Sequence, residues 1–135
     1  MPKLPAVLLV DDDPTTNFLN KKLLLRLGVT DNVRVALNGQ EALREVQQHC
    51  QEQPTGCPAL VFLDINMPVM NGIQFLEAYQ QLPAPQQQAV VVVMLTTSVS
   101  PRDQQLIQTL PVADYLDKPL NKEQVERVLA QHFPA

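Results

Sequence analysis

Residues 60–72 read Leu60-Val61-Phe62-Leu63-Asp64-Ile65-Asn66-Met67-Pro68-Val69-Met70-Asn71-Gly72. Four apolar residues in a row, stopped by a carboxylate, predict a strand buried on both faces whose last residue stands at the end of a sheet. The loop after Asp64 carries its own turn signals, and Gly72 reads as the supplier of a positive φ there. Met67 and Met70 read as packing residues. Ile73, Phe75, Leu76 and Tyr79 then step at helical spacing until Pro83-Ala84-Pro85 stops them.

The same alternation extends in both directions. Ala6 to Val10 predicts a buried strand, followed by Asp13 as N-cap and Pro14 at the first helical position. Phe18, Leu19, Lys22, Leu23 and Arg26 mark the helix face, and Gly28 closes the helix. Val33 to Leu37 predicts a second strand, Asn38-Gly39 a turn, and Ala42, Leu43 and Val46 a second helix that runs into a loop over Gln51 to Pro58. Ala89 to Leu95 is the most hydrophobic strand, stopping at Thr96-Thr97-Ser98. Pro101 opens a weaker helix through Leu106 and Ile107. Tyr115 and Leu116 lie in a short fifth strand, and a last helix spans about Asn121 to His132, with Val125, Val128 and Leu129 on one face. Five strands alternating with five helices predict an α/β fold, a parallel sheet covered on both faces.

Composition bounds the rest. A chain of 135 residues is expected to be one domain, 1–135, with its core at about 4–132 and no effector domain, so that any output is a protein contact in trans. Hydrophobic residues make up 45% and aromatics only 4%, which predicts an aliphatic core. The net charge of −4 argues against nucleic acid as a direct partner, because phosphate backbones attract clustered Lys and Arg. Ala89 to Leu95 is far short of the roughly 20 residues of a membrane span, and Met1 to Pro5 lacks the apolar stretch of a signal peptide, so a cytoplasmic location is expected. Cys50 and Cys57 read as free thiols; their spacing is not that of a metal site, and a disulfide between them would be incidental. Asn17, Asn20 and Asn38 receive no role.

In open parallel sheets, ligands bind outside the carboxyl ends of the strands. There stand Asp11, Asp12 and Asp13 after the first strand, Asp64 and Asn66 after the third, Thr96 after the fourth and Lys118 after the fifth. Carboxylates packed this closely repel and should recruit a cation. Hard oxygen donors, few in number, suit Mg²⁺, with Mn²⁺ as a substitute. A carboxylate can itself accept a phosphoryl group, and the charge on the transferring oxygens would be met by the cation, Lys118 and the Thr96 hydroxyl. Asp13 reads only as a helix cap.

These residues resemble the receiver domain of two-component response regulators, from about Leu4 to His132. The matching pieces are Val10-Asp11-Asp12-Asp13-Pro14, Leu63-Asp64 through Asn71-Gly72, Leu95-Thr96-Thr97 and Asp114-Tyr115-Leu116-Asp117-Lys118-Pro119. The resemblance implies a flavodoxin-like (βα)5 three-layer sandwich with sheet order 2-1-3-4-5. It implies that Asp64 is the phosphoacceptor, supplied by a histidine kinase or a histidine phosphotransfer protein. Asp12 and Asp64 would bind Mg²⁺ directly with the backbone carbonyl of Asn66, and Asp11 mainly through water. Lys118 would pair with Asp64 at rest, Thr96 would bond a phosphoryl oxygen, and Tyr115 would turn inward. Lys118-Pro119 would be cis. About 101–110 and 115–132 would form the output face, toward a partner that the sequence does not name. The domain would be a phosphoacceptor rather than an enzyme, apart from self-phosphotransfer and autodephosphorylation. Thr97 stands where the family usually has a smaller residue, and Asn66 and Ser98 where it tunes the phosphorylated lifetime.

Rival readings are weaker. Asp11-Asp12-Asp13-Pro14-Thr15 fits the Asp-x-Asp-x-Thr motif of haloacid-dehalogenase-like phosphatases, with Asp11 as nucleophile, but this leaves Asp64 unexplained. A flavodoxin-like phosphate binder would want a Gly-, Ser- and Thr-rich first loop rather than three acids. A receiver serving only as a phosphorylation-independent docking module would not need the intact acids, Thr and Lys. An EF-hand fails at Thr16 and Lys22.

Overall fold

The computed structural model describes residues 4–52, 59–65, 67, 69–82, 90–96, 101–110 and 112–133. Five parallel strands, β1 (Val7–Val10), β2 (Val33–Ala36), β3 (Leu60–Asp64), β4 (Val91–Thr96) and β5 (Asp114–Asp117), lie in the order β2-β1-β3-β4-β5. Helices α1 (Pro14–Arg26), α2 (Gly39–Glu52), α3 (Gly72–Tyr79), α4 (Pro101–Gln108) and α5 (Lys122–His132) alternate with them. This is the flavodoxin-like topology expected. The helix α2 runs two residues into the stretch expected as a loop.

Side chains alternate between the sheet faces with the two-residue period of a strand. Leu8, Val10, Val61, Leu63, Val92 and Met94 pack with Ala42 and Val46 of α2, with Phe75 and Leu76 of α3, and with Ile107 of α4. Val7, Leu9, Phe62, Val93, Leu95 and Leu116 pack with Leu24 of α1 and with Val125, Val128 and Leu129 of α5. The core is mostly aliphatic, but Phe62, Phe75 and Tyr79 are among its largest fully buried side chains, with the Phe75 and Tyr79 rings stacked at 5.8 Å. A low aromatic count therefore did not keep aromatics out of the core.

The cap at Asp13 is where the sequence places it, and two further caps appear in the structure. Asp13 caps α1 by accepting from the Thr15 N–H, with Pro14 next. Asn71 with Gln74 and Asn121 with Gln124 form capping boxes at α3 and α5. Gly28, with φ 71°, follows α1 as a left-handed residue that glycine adopts without steric cost.

The inward face of α1 is not the one expected. It buries Asn17, Asn20 and Leu24, while Phe18 and Leu19 are 59% and 58% exposed. Apolar residues lie on several sides of this helix, so hydrophobic spacing does not select its phase. The cap at Asp13 and a hydrogen bond from Asn17 Nδ2 to the Asp11 carbonyl, 2.8 Å, set it instead. Leu24→Ala should cost about 2–5 kcal/mol in urea unfolding, and Phe18→Ser about 0.5 kcal/mol or less; the reverse ranking would restore the face suggested by spacing.

Candidate functional site

Strand register gathers the site. Val10 pairs with Leu63, so Asp11 and Asp64, the next residue along each chain, emerge side by side. Asp64 pairs with Leu95, and Thr96 with Asp117, which puts Thr96 and Lys118 at the same end of the sheet. Of Thr96 only the backbone, at the end of β4, is described. Asn66, Thr97, Ser98 and Cys57 lie outside the described residues.

Asp11 is 5% exposed and fully engaged. Its Oδ1 accepts from the Asp13 N–H at 2.9 Å and its Oδ2 from Lys118 Nζ at 2.7 Å. Lys118 also lies 3.3 Å from Asp64 Oδ1. Pairing of Lys118 with Asp64 was expected; the shorter contact to Asp11 was not. Asp11, Asp12 and Asp64 each present a carboxylate oxygen, all within 4.8 Å of one another. Asp13 stays a cap: Thr15 N–H and Thr16 Oγ1 both donate to it. Those bonds, that from Thr16 foremost, hold its carboxyl below the usual value.

Burial pushes the Asp64 carboxyl above its ordinary value, Lys118 pulls it back, and Asp11 pushes it further up; the net direction is upward. Burial draws Lys118 downward, but its hydrogen bond to Asp11 and the charge of Asp64 outweigh this, so it stays firmly an ammonium. Three carboxylates face one ammonium, leaving two negative charges at the rim. That excess, carried on hard oxygen donors, fits a divalent cation such as Mg²⁺.

The loop after β3 is held by backbone. Gly72 N–H donates to the Ile65 carbonyl at 2.8 Å, and a Cβ on Gly72 would lie 2.4 Å from the Asp64 carbonyl oxygen. Gly72 is thus required by close approach and not by a positive φ, which falls on Val69 instead, at 68°. From the other side Gly39 N–H donates to Met70 O at 2.7 Å, where a Cβ would meet the same oxygen. The Lys118-Pro119 peptide is cis, as expected. Tyr115 is 45% exposed on the edge strand β5, its side chain outward. Sequence reasoning missed Asn17, which ties α1 to the carbonyl of Asp11; a polar residue one turn after the cap was its only signal.

A family model described as the response regulator receiver domain matches residues 7–130. The transcriptional regulatory protein CpxR of Escherichia coli (strain K12) is 38% identical over 125 residues, 92% of this chain and 47% of CpxR. The chain therefore spans about half the length of that relative. A two-component response regulator from Cytophaga hutchinsonii has a TM-score of 0.83 at 26% identity, covering 96% of this chain and 97% of its own. The chemotaxis protein CheY4 of Vibrio cholerae has a TM-score of 0.73 at 30% identity, covering 93% and 96%.

A doubly wound sheet with acids and a lysine on its carboxyl rim defines a signalling domain rather than a conventional enzyme. The chain belongs to the response regulator receiver domain family of two-component signalling. Domains of this family work with histidine kinases or phosphotransfer proteins and typically use Mg²⁺. No described helix is long and apolar enough to cross a membrane.

Asp64 makes stability depend on pH. Its carboxyl titrates above 3.8 in the fold, so the folded state holds the proton more tightly and stability falls as pH rises from 3.8 through the raised value. Asp64→Asn should therefore raise the thermal midpoint at pH 7, with the gain fading as pH is lowered through that window. A midpoint lowered at pH 7 would mean that the Lys118 pairing outweighs the desolvation of Asp64.

Proposed function

We propose that Asp64 accepts a phosphoryl group from a phosphohistidine of a histidine kinase or histidine phosphotransfer protein. The P–N bond to the donor imidazole breaks, a P–O bond to an Asp64 carboxylate oxygen forms, and the freed imidazole takes a proton from solvent. The observation that carries this reading is the placement of Lys118 Nζ, 2.7 Å from Asp11 and 3.3 Å from Asp64, in a cluster with two further negative charges to be met.

Asp12 and Asp64 would hold Mg²⁺ directly with the Asn66 carbonyl, and Asp11 through water. Bound there, the cation supplies charge neutralisation for the transferring oxygens. Lys118 leaves its carboxylate partners to meet the phosphoryl oxygens from the other side. Thr96 donates its hydroxyl to one of them, and Tyr115 turns inward, shifting a pre-existing equilibrium of the face formed by residues 101–110 and 115–132. Support for Tyr115 as the moving part is its half-exposed position on an edge strand. That face would contact the output partner.

Asp11 is the rival nucleophile, but its two oxygens are occupied by the Asp13 N–H and Lys118, and it is the more buried of the two acids. Radiolabel transfer from a phosphohistidine donor should be lost in Asp64→Asn and kept, though slowed, in Asp11→Asn; retention of label in folded Asp64→Asn would overturn the assignment. Beryllofluoride with Mg²⁺ should shift the backbone resonances of Thr96 and Tyr115, and unmoved signals there at saturation would remove them from the switch.

A further inference from the structure

Lys118, which pairs with the acids, also lines a recess whose other lining residues are not among those acids. The recess is a cavity of ≈ 270 Å³ between α1 and the segment joining β5 to α5. Leu19, Leu23 and Leu120 give it apolar walls; Thr16, Asn20 and Lys118 supply its polar lining. Asn20 is only 8% exposed, and its side-chain amide makes no hydrogen bond to any described residue. Helix propensity does not account for an amide here. Asn is a weak helix former in a helix interior, and the Asn20 amide, without a partner among the described residues, opens on the cavity rather than being sealed in the core.

The chemistry narrows what would complete the site. The amide offers donors and an acceptor together, so a matching head has both. The Lys118 ammonium is already held by Asp11 and Asp64, and the neighbouring rim carries excess negative charge, so an anion finds no free counter-charge. The volume exceeds the roughly 30 Å³ share of a single water and lies just under the roughly 300 Å³ at which drug-sized pockets begin. We propose that the cavity beside Asn20 is a binding site for a small neutral molecule with a carboxamide-type head on a short aliphatic body. The head pairs with the Asn20 amide and the body lies against Leu19, Leu23 and Leu120. Because Lys118 both lines the cavity and pairs with Asp11 and Asp64, an occupant would bear on the position of the lysine. The site does not depend on whether Asp64 accepts a phosphoryl group.

Isobutyramide is a suitable probe, with isobutyrate as the charged control. Titration into the ¹⁵N-labelled protein should give saturable shifts at the Asn20 side-chain amide and at the Leu23 and Leu120 backbone, at least tenfold weaker for isobutyrate. Asn20→Leu should abolish saturation while raising the thermal midpoint, which separates a binding amide from a structural one. If Asn20→Leu does not fold, Asn20→Ser, which removes the amide and keeps a small polar group, should lose saturation likewise. Non-saturating shifts, equal binding of isobutyrate, or saturation unchanged in either folded variant would overturn the proposal.

Discussion

The ammonium of Lys118 lies between two carboxylates that sit on different strands and are both largely removed from water. Side by side without it, Asp11 and Asp64 would repel strongly in a medium less polarisable than water. The lysine comes from a position 107 residues away from Asp11. In the sheet, β5 is separated from β3 by β4, so the group that balances the two acids must reach across the end of an intervening strand. A long flexible stem ending in a compact charge does this, where a short side chain could not. One ammonium does not balance three carboxylates, so the rim keeps an appetite for a cation. The electrostatics of the site follow from that incomplete compensation.

Around Asp64 the support is backbone rather than side chain. Gly72 lies so close to the Asp64 carbonyl that a methyl group would not fit, and Gly39 presses on Met70 in the same way. Between these two contacts Val69 adopts φ 68°, a conformation that costs a β-branched residue on the order of 1–3 kcal/mol. The loop is pinned on both sides and bent in the middle. The glycines hold the loop against its neighbours, and the bend is left to a residue poorly suited to it. Assigning the positive φ to Gly72, as its place in a turn suggests, overlooks that a glycine is also required wherever two backbones approach closely.

Much of the fold was legible because its signals are local. Buried strands appear as short apolar runs, the cap Asp13 precedes its helix, and the acids stand where strands stop. The helix α1 was legible in extent but not in phase. Its apolar residues lie on several sides, and the inward face was settled by Asn17 bonding the Asp11 carbonyl, a contact with no counterpart in hydrophobic spacing. The partner of Lys118 was only half legible for a similar reason. Both acids lie within its reach, and the choice between contacts of 2.7 and 3.3 Å depends on side-chain packing at the rim.

The order of strands and helices, the helix caps and the identity of the chemical groups on the carboxyl rim were set by the sequence alone, because each depends on neighbours along the chain. Which face of α1 turns inward, how the lysine divides itself between two acids, why Gly72 must lack a side chain, and the lone amide of Asn20 in its cavity were decided only in three dimensions. Each of these depends on distances between segments far apart in sequence, and on a helix with apolar residues on several sides such distances are fixed by packing and register, not by local pattern.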